Sequence, residues 1–429
     1  MLTIDRKKSP EFRTIDKIDF IKAAAKKLSN NIPVYIVNTG TQDLVKIEFL
    51  FSAGIKYQPQ PLVASTANNT MAEGTSKYTA AELADKIDYY GAFFETDIDA
   101  DSASVYLYTL NKHLSSTLPF IEETIKSPVF PAEELTTYLD NKKSKFLVNS
   151  KKVDKIARKK FNELLFGEKH PYGYNLKMED HDNVQRTQVI DFYKKYYSSD
   201  NCMIIVSGRV NDNTLELLEK HFGGNDWKRS SEIIYDAHTP LTNTVRENIV
   251  YKEDAVQSAI RIGKILFNKT HQDYPAMQVL NTVLGGYFGS RLMSNIREDK
   301  GYTYGIGSGI ISLQNAGWFF ISTEVGVDVC KNAVNEIYSE IKKMRTEIIP
   351  AEELKLVKSY ILGVFLRSVD GPFALADKFK NIHLYGLGYD YYDRYINTVK
   401  TVTAEELKAL AQKYLNEEEM IELVVGKKN

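Results

Sequence analysis

Seven histidines and two cysteines are the groups from which this chain could build a metal or nucleophile site. Imidazoles that share a zinc ion on one helix sit about one turn apart, because residues four apart stack on one face. His113, His170, His181, His221, His238, His271 and His383 contain no such pair, and none of them adjoins Cys202 or Cys330. They read as surface or packing histidines. The cysteines are too few for a disulfide framework or a cysteine-based zinc site. A G-x-S-x-G elbow for a serine nucleophile is missing as well. Gly285-Gly286-Tyr287-Phe288-Gly289 is glycine-rich but has neither phosphate-loop nor dinucleotide spacing. It reads as a loop that lets another backbone, such as an extended peptide, approach closely. The lysine-rich stretch 142–160 reads as a solvated helix face, with an acidic patch on a partner or substrate as the alternative.

Elements must position these groups, and the chain is long enough for several. Its 429 residues suit two or three domains, and 43% hydrophobic with 26% charged residues is the balance of a globular protein. A formal net charge of -1 gives no reason to expect nucleic acid or an anionic membrane as partner. No stretch approaches the run of about 20 apolar residues that a membrane helix needs. The first residues are charged and lack the apolar core of a signal peptide, so the expectation is a cytoplasmic protein. A chain trimmed of a leader would look the same.

A duplication organises the rest. Pro131-Ala132-Glu133-Glu134-Leu135 recurs as Pro350-Ala351-Glu352-Glu353-Leu354, an offset of 219 between residues 131 and 350. Gly167 and Gly386 keep that offset, and the apolar runs ending at Gly208 and Gly426 keep one of 218. A shared register over a hundred residues predicts two homologous halves. Residues 45–51 and 102–110 alternate like strands, the first with one wet face; 80–90 and 118–125 have helical spacing, and 132–165 reads as one long charged helix. The fold class that follows is α+β, each half an antiparallel sheet covered by helices. The expected domains are residues 1–225, a linker at 226–253, and residues 254–429.

Two segments carry a family resemblance. The first runs from Phe51-Ser52-Ala53-Gly54 through Leu62-Val63-Ala64 to Glu73-Gly74-Thr75 and Tyr90-Gly91-Ala92. The second joins Leu284-Gly285-Gly286, Gly289-Ser290-Arg291-Leu292, Ile296-Arg297-Glu298 and Lys300-Gly301-Tyr302-Thr303-Tyr304. Together they resemble the insulinase/pitrilysin-type zinc metallopeptidase family in its short form, close to processing-peptidase subunits. That resemblance implies an inverted zinc helix, H-x-x-E-H, ahead of Gly74. Here its two histidine positions hold Ser65 and Asn69, its glutamate position holds Asn68, and the acid expected downstream falls on a window containing Lys145. Hydroxyl and amide are weak zinc donors and an amide is no base, so no metal site is expected in this chain.

The resemblance also implies roles for what remains. Arg297 on a helix and Tyr304 in a strand would donate to a substrate carbonyl or its oxyanion. Gly285, Gly286, Gly289 and Ser290 would line the bound peptide. The expectation is a non-catalytic subunit of a heterodimeric zinc endopeptidase, with zinc only in a homologous partner and a peptide as substrate. The alternative is an inert homodimeric peptide-binding or structural protein of the same fold.

Overall fold

The computed structural model describes residues 15, 18–227, 240 and 245–428. In the first half the elements run β1 (Ala24–Lys27), β2 (Pro33–Asn38), β3 (Leu44–Phe51), α1 (Val63–Asn69), α2 (Ala80–Tyr89), β4 (Phe93–Ile98) and β5 (Ala103–Leu110). They continue as α3 (Leu114–Lys126), α4 (Ala132–Asn149), α5 (Val153–Phe166), α6 (Arg186–Tyr196), β6 (Cys202–Gly208) and α7 (Asn213–Phe222). The second half begins with β7 (Glu247–Tyr251), β8 (Gln257–Leu266), α8 (Tyr274–Asn281), β9 (Ile306–Ser312) and β10 (Gly317–Gly326). It ends with α9 (Cys330–Thr346), α10 (Ala351–Arg367), α11 (Pro372–His383), α12 (Asp390–Thr401), α13 (Ala404–Tyr414) and β11 (Ile421–Gly426).

The duplication is visible in the sheets. One is ordered β1-β2-β6-β3-β5-β4 and the other β7-β11-β8-β10-β9, so the second repeats the first without its outer strand. Each is antiparallel except for one parallel pair, β2 with β6 and β7 with β11. Pro131 and Pro350 each cap a helix, α4 and α10. Gly208 and Gly426 close the matching strands at φ +121° and +132°, and a Cβ on Gly208 would lie 2.2 Å from the Leu44 carbonyl oxygen. Only glycine fits that crossing.

Each half lends a helix to the other. Ala157, Phe161 and Leu165 of α5 pack on Ala259, Leu423 and Val425 of the second sheet. In return Leu375, Ala376 and Phe379 of α11 pack on Val37 and Ile205 of the first. Every large apolar side chain buried this way contributes about 1.5–3 kcal/mol, which ties the halves into one body.

This exchange explains three departures from the sequence-based reading. The single helix expected over 132–165 breaks at residues 150–152, where Lys152 is extended, because α4 stays with its own half while α5 crosses to the other. Strand β3 has no wet face: Lys46 and Glu48 are buried beneath α11, paired with Asp377 and Lys380. The stretch 226–253 is not all linker, since β7 within it belongs to the second sheet; residues 228–239 and 241–244 lie outside the described residues. Among the described residues, no helix is long and apolar enough to cross a membrane.

Candidate functional site

The positions where the resemblance places a zinc site lie on α1, and each is committed to an internal hydrogen bond. Ser65 Oγ donates to the Leu62 carbonyl at 3.1 Å. Asn68 is fully buried; its amide donates to the Asp97 carbonyl at 2.9 Å and its Oδ1 accepts from the Tyr197 hydroxyl at 3.0 Å. Asn69 Nδ2 donates to the Tyr138 hydroxyl at 2.9 Å, and its Oδ1 accepts from Thr96 at 3.1 Å. Tyr138 in turn donates to the Ser65 carbonyl at 3.2 Å. Three amide and hydroxyl side chains thus stitch α1 to β4 and α4. Burial pushes the Tyr197 phenol well up, so it stays a donor.

This set does not fit zinc. An Asn–Asn–Tyr network offers neutral, hydrogen-bonded oxygens, where zinc takes imidazole, thiolate or carboxylate. Among the described residues, no group of three or more His, Cys, Asp or Glu side chains is placed to hold a metal ion. The residue of α4 that faces the site is Tyr138, two turns before Lys145, which is exposed. Sequence reasoning missed Tyr138 because it searched that helix for an acid.

The glycine-rich segment spans the end of one π-helical turn, Thr282–Gly286, and the start of the bridge to a second, Met293–Asp299. Gly285 is buried, and a Cβ there would lie 2.6 Å from Ser308 Oγ, so its missing side chain serves β9 rather than a peptide. Ser290 is buried as well, its Oγ without a hydrogen-bond partner. Gly286 and Gly289 remain exposed beside Phe288. Of the four residues expected to line a peptide, two are therefore inside the fold.

Arg297 rides on the second π turn with its guanidinium 4.7 Å above the Phe288 ring, a cation–π contact that fixes the group at the surface. Its nearest carboxylate is Glu298 at 4.0 Å. Tyr304 lies in the bend before β9, not in a strand, and is 95% exposed. No described contact joins the two. Tyr304 stands at a recess of about 340 Å³ lined also by Asp154, Arg261, Thr323 and Glu324. Burial, then Asp154, raises the Glu324 carboxyl above its usual value. A larger cleft of about 530 Å³ lies between the halves, with Tyr106 and Tyr108 on one wall and Asp377, Lys380 and Tyr385 on the other. Of the described histidines, His170 lies against Phe166, His383 lies between Tyr35 and Phe379, and His221 meets Glu122 at 2.6 Å; His238 lies outside the described residues.

Residues 183–361 match the model of the "Peptidase M16 inactive domain". The chain is 22% identical over 400 residues to the uncharacterized zinc protease YmxG of Bacillus subtilis, covering 92% of this chain and 96% of that one. It is 25% identical over 211 residues to YmfF of the same organism, a probable inactive metalloprotease, covering 48% of each. The structure of a peptidase M16 inactive domain from Pseudomonas fluorescens superposes with a TM-score of 0.85 at 21% identity, over 94% of this chain and 98% of that one. A protease from Helicobacter pylori gives 0.85 at 18% identity, over 95% and 100%.

Proposed function

We propose that this chain is an inactive-type member of the M16 peptidase family and works as the non-catalytic subunit of a two-chain zinc endopeptidase. The observation that carries this reading is the contrast between its two halves. In the first, every position of the zinc helix is consumed by internal hydrogen bonds. In the second, among the described residues, neither the Arg297 nor the Tyr304 side chain makes a hydrogen bond; the guanidinium rests on Phe288 and the phenol is 95% exposed.

In the proposed complex a homologous partner supplies zinc, its bound water and the general base. This chain supplies a guanidinium and a phenol that donate to the substrate carbonyl as charge develops on its oxygen. The exposed Gly286, Phe288 and Gly289 contact the peptide beside Arg297. Zinc is not a resident of this chain, and the working compartment is the cytoplasm.

The test is reconstitution. The purified chain is assayed for zinc content and for cleavage of a quenched peptide library, alone and mixed with a homologous chain bearing H-x-x-E-H. The reading expects no stoichiometric zinc and no cleavage alone, with activity in the mixture above that of the partner by itself. Chelator-sensitive cleavage by this chain alone would overturn it.

A further inference from the structure

A guanidinium that donates to a developing oxyanion has to be aimed before the charge appears, because a donor that must first find its place stabilises the transition state less. Arginine is a long, freely rotating side chain and holds one direction only where neighbours restrict it. For Arg297 the restriction does not come from a close ion pair. Among the described residues its one carboxylate contact is Glu298, at 4.0 Å, and its side chain is nevertheless only 34% exposed.

What covers it is Phe288, whose ring centroid lies 4.7 Å from the Arg297 Cζ. The ring itself is 63% exposed, so it is not there to fill the core. The bridge that carries it, residues 287–292 between the two π turns, is clamped to α10 on both sides of Phe288. Tyr287 packs on Tyr360 with ring centroids 4.9 Å apart. Arg291 meets Glu353 through two parallel hydrogen bonds of 2.8 Å, the geometry that holds a guanidinium most firmly. Between these anchors the Ser290 N–H donates to the Tyr287 carbonyl at 3.2 Å, closing a tight turn with Phe288 inside it. Gly289 belongs to the same construction, since a Cβ there would lie 2.9 Å from the Tyr287 ring and crowd it. Arg297 thus stands on a turn fixed to a helix. Tyr304 has no such support: among the described residues no ring contact or ion pair holds it, and it is 95% exposed.

We propose that Phe288 is the positioning residue for Arg297, aiming its guanidinium at the substrate carbonyl without touching the reacting atoms. That Arg297 acts on a carbonyl rests on the function proposed above; that Phe288 holds Arg297 rests on the chain's own geometry.

Two readouts separate the contact from its use. In the full chain alone, the Arg297 Nε–H signal is followed by proton–nitrogen NMR and assigned by its loss in Arg297→Lys. A proton over a phenyl face is shifted upfield, so the signal should move downfield in Phe288→Leu and stay shielded in Phe288→Trp. An Arg297 signal unchanged by Phe288→Leu overturns the inference before any partner is added. In the mixture with a zinc-bearing homologue, Phe288→Leu should lower kcat about two- to fivefold, the worth of an exposed cation–π contact, and Phe288→Trp should restore it. Combined with Arg297→Ala, Phe288→Leu should lower kcat no further, because the two residues act as one unit. A further loss in the double variant, or no rescue by Phe288→Trp, would make Phe288 a peptide contact or a structural residue and overturn the inference. If Arg297→Ala lowers kcat and Phe288→Leu does not, the inference fails and the role of Arg297 stands. If Arg297→Ala leaves kcat unchanged, the proposed role of Arg297 fails and this inference falls with it.

Discussion

Asn68 and Asn69, at positions where the resemblance places a base and a zinc ligand, are tied into a hydrogen-bond knot. Because Asn69 bonds Tyr138 and Tyr138 bonds the Ser65 backbone, the α4 position that faces residues 65 and 69 is 138. Rebuilding the site therefore requires a new acid there. The variant carrying Ser65→His, Asn69→His and Tyr138→Glu should retain about one zinc per chain by elemental analysis after dialysis, whereas Lys145→Glu in place of Tyr138→Glu should retain none. Zinc held equally by both would mean that α4 lies differently from this account. That Ser65, Asn68 and Asn69 stand where the resemblance places ligands and base was legible in the sequence. The wrong partner on α4 was not, because only packing says which turn of a helix faces a site.

Several elements were legible because their pattern was local. The helix start at Pro131, the helix over 80–90 and the closing glycines 208 and 426 needed no knowledge of the other half. The exchange of α5 and α11 was invisible, because an amphipathic helix records that it has a buried face but not whose sheet covers it. The same blindness made β3 look half wet. The exchange gives Glu48 and Lys380 a measurable job. Glu48 is 1% exposed, and its ammonium partner comes from the opposite half. Lys380→Met strands that carboxylate and should lower the unfolding free energy by about 3 kcal/mol in urea titration, with Lys380→Arg costing far less. A loss below about 0.5 kcal/mol would put the pair among exposed, weak ion pairs.

Two halves that share helices and bury charge across their boundary behave as one rigid unit. In the complex proposed above, a chamber that admits a peptide would hinge between the two chains rather than within this one. That places the division of labour at the centre of the account: metal and base on one chain, Arg297 and Tyr304 on this one. The most direct measurement mixes wild-type, Arg297→Ala or Tyr304→Phe chains with a zinc-bearing homologue and determines kcat together with the Kd for an uncleaved peptide. Donors that act on developing charge should cost about a hundredfold in kcat when removed, with Kd changed far less. If kcat is unchanged in both variants while the complex still assembles, this chain contributes no transition-state group, and the account of it as half of an active site is wrong.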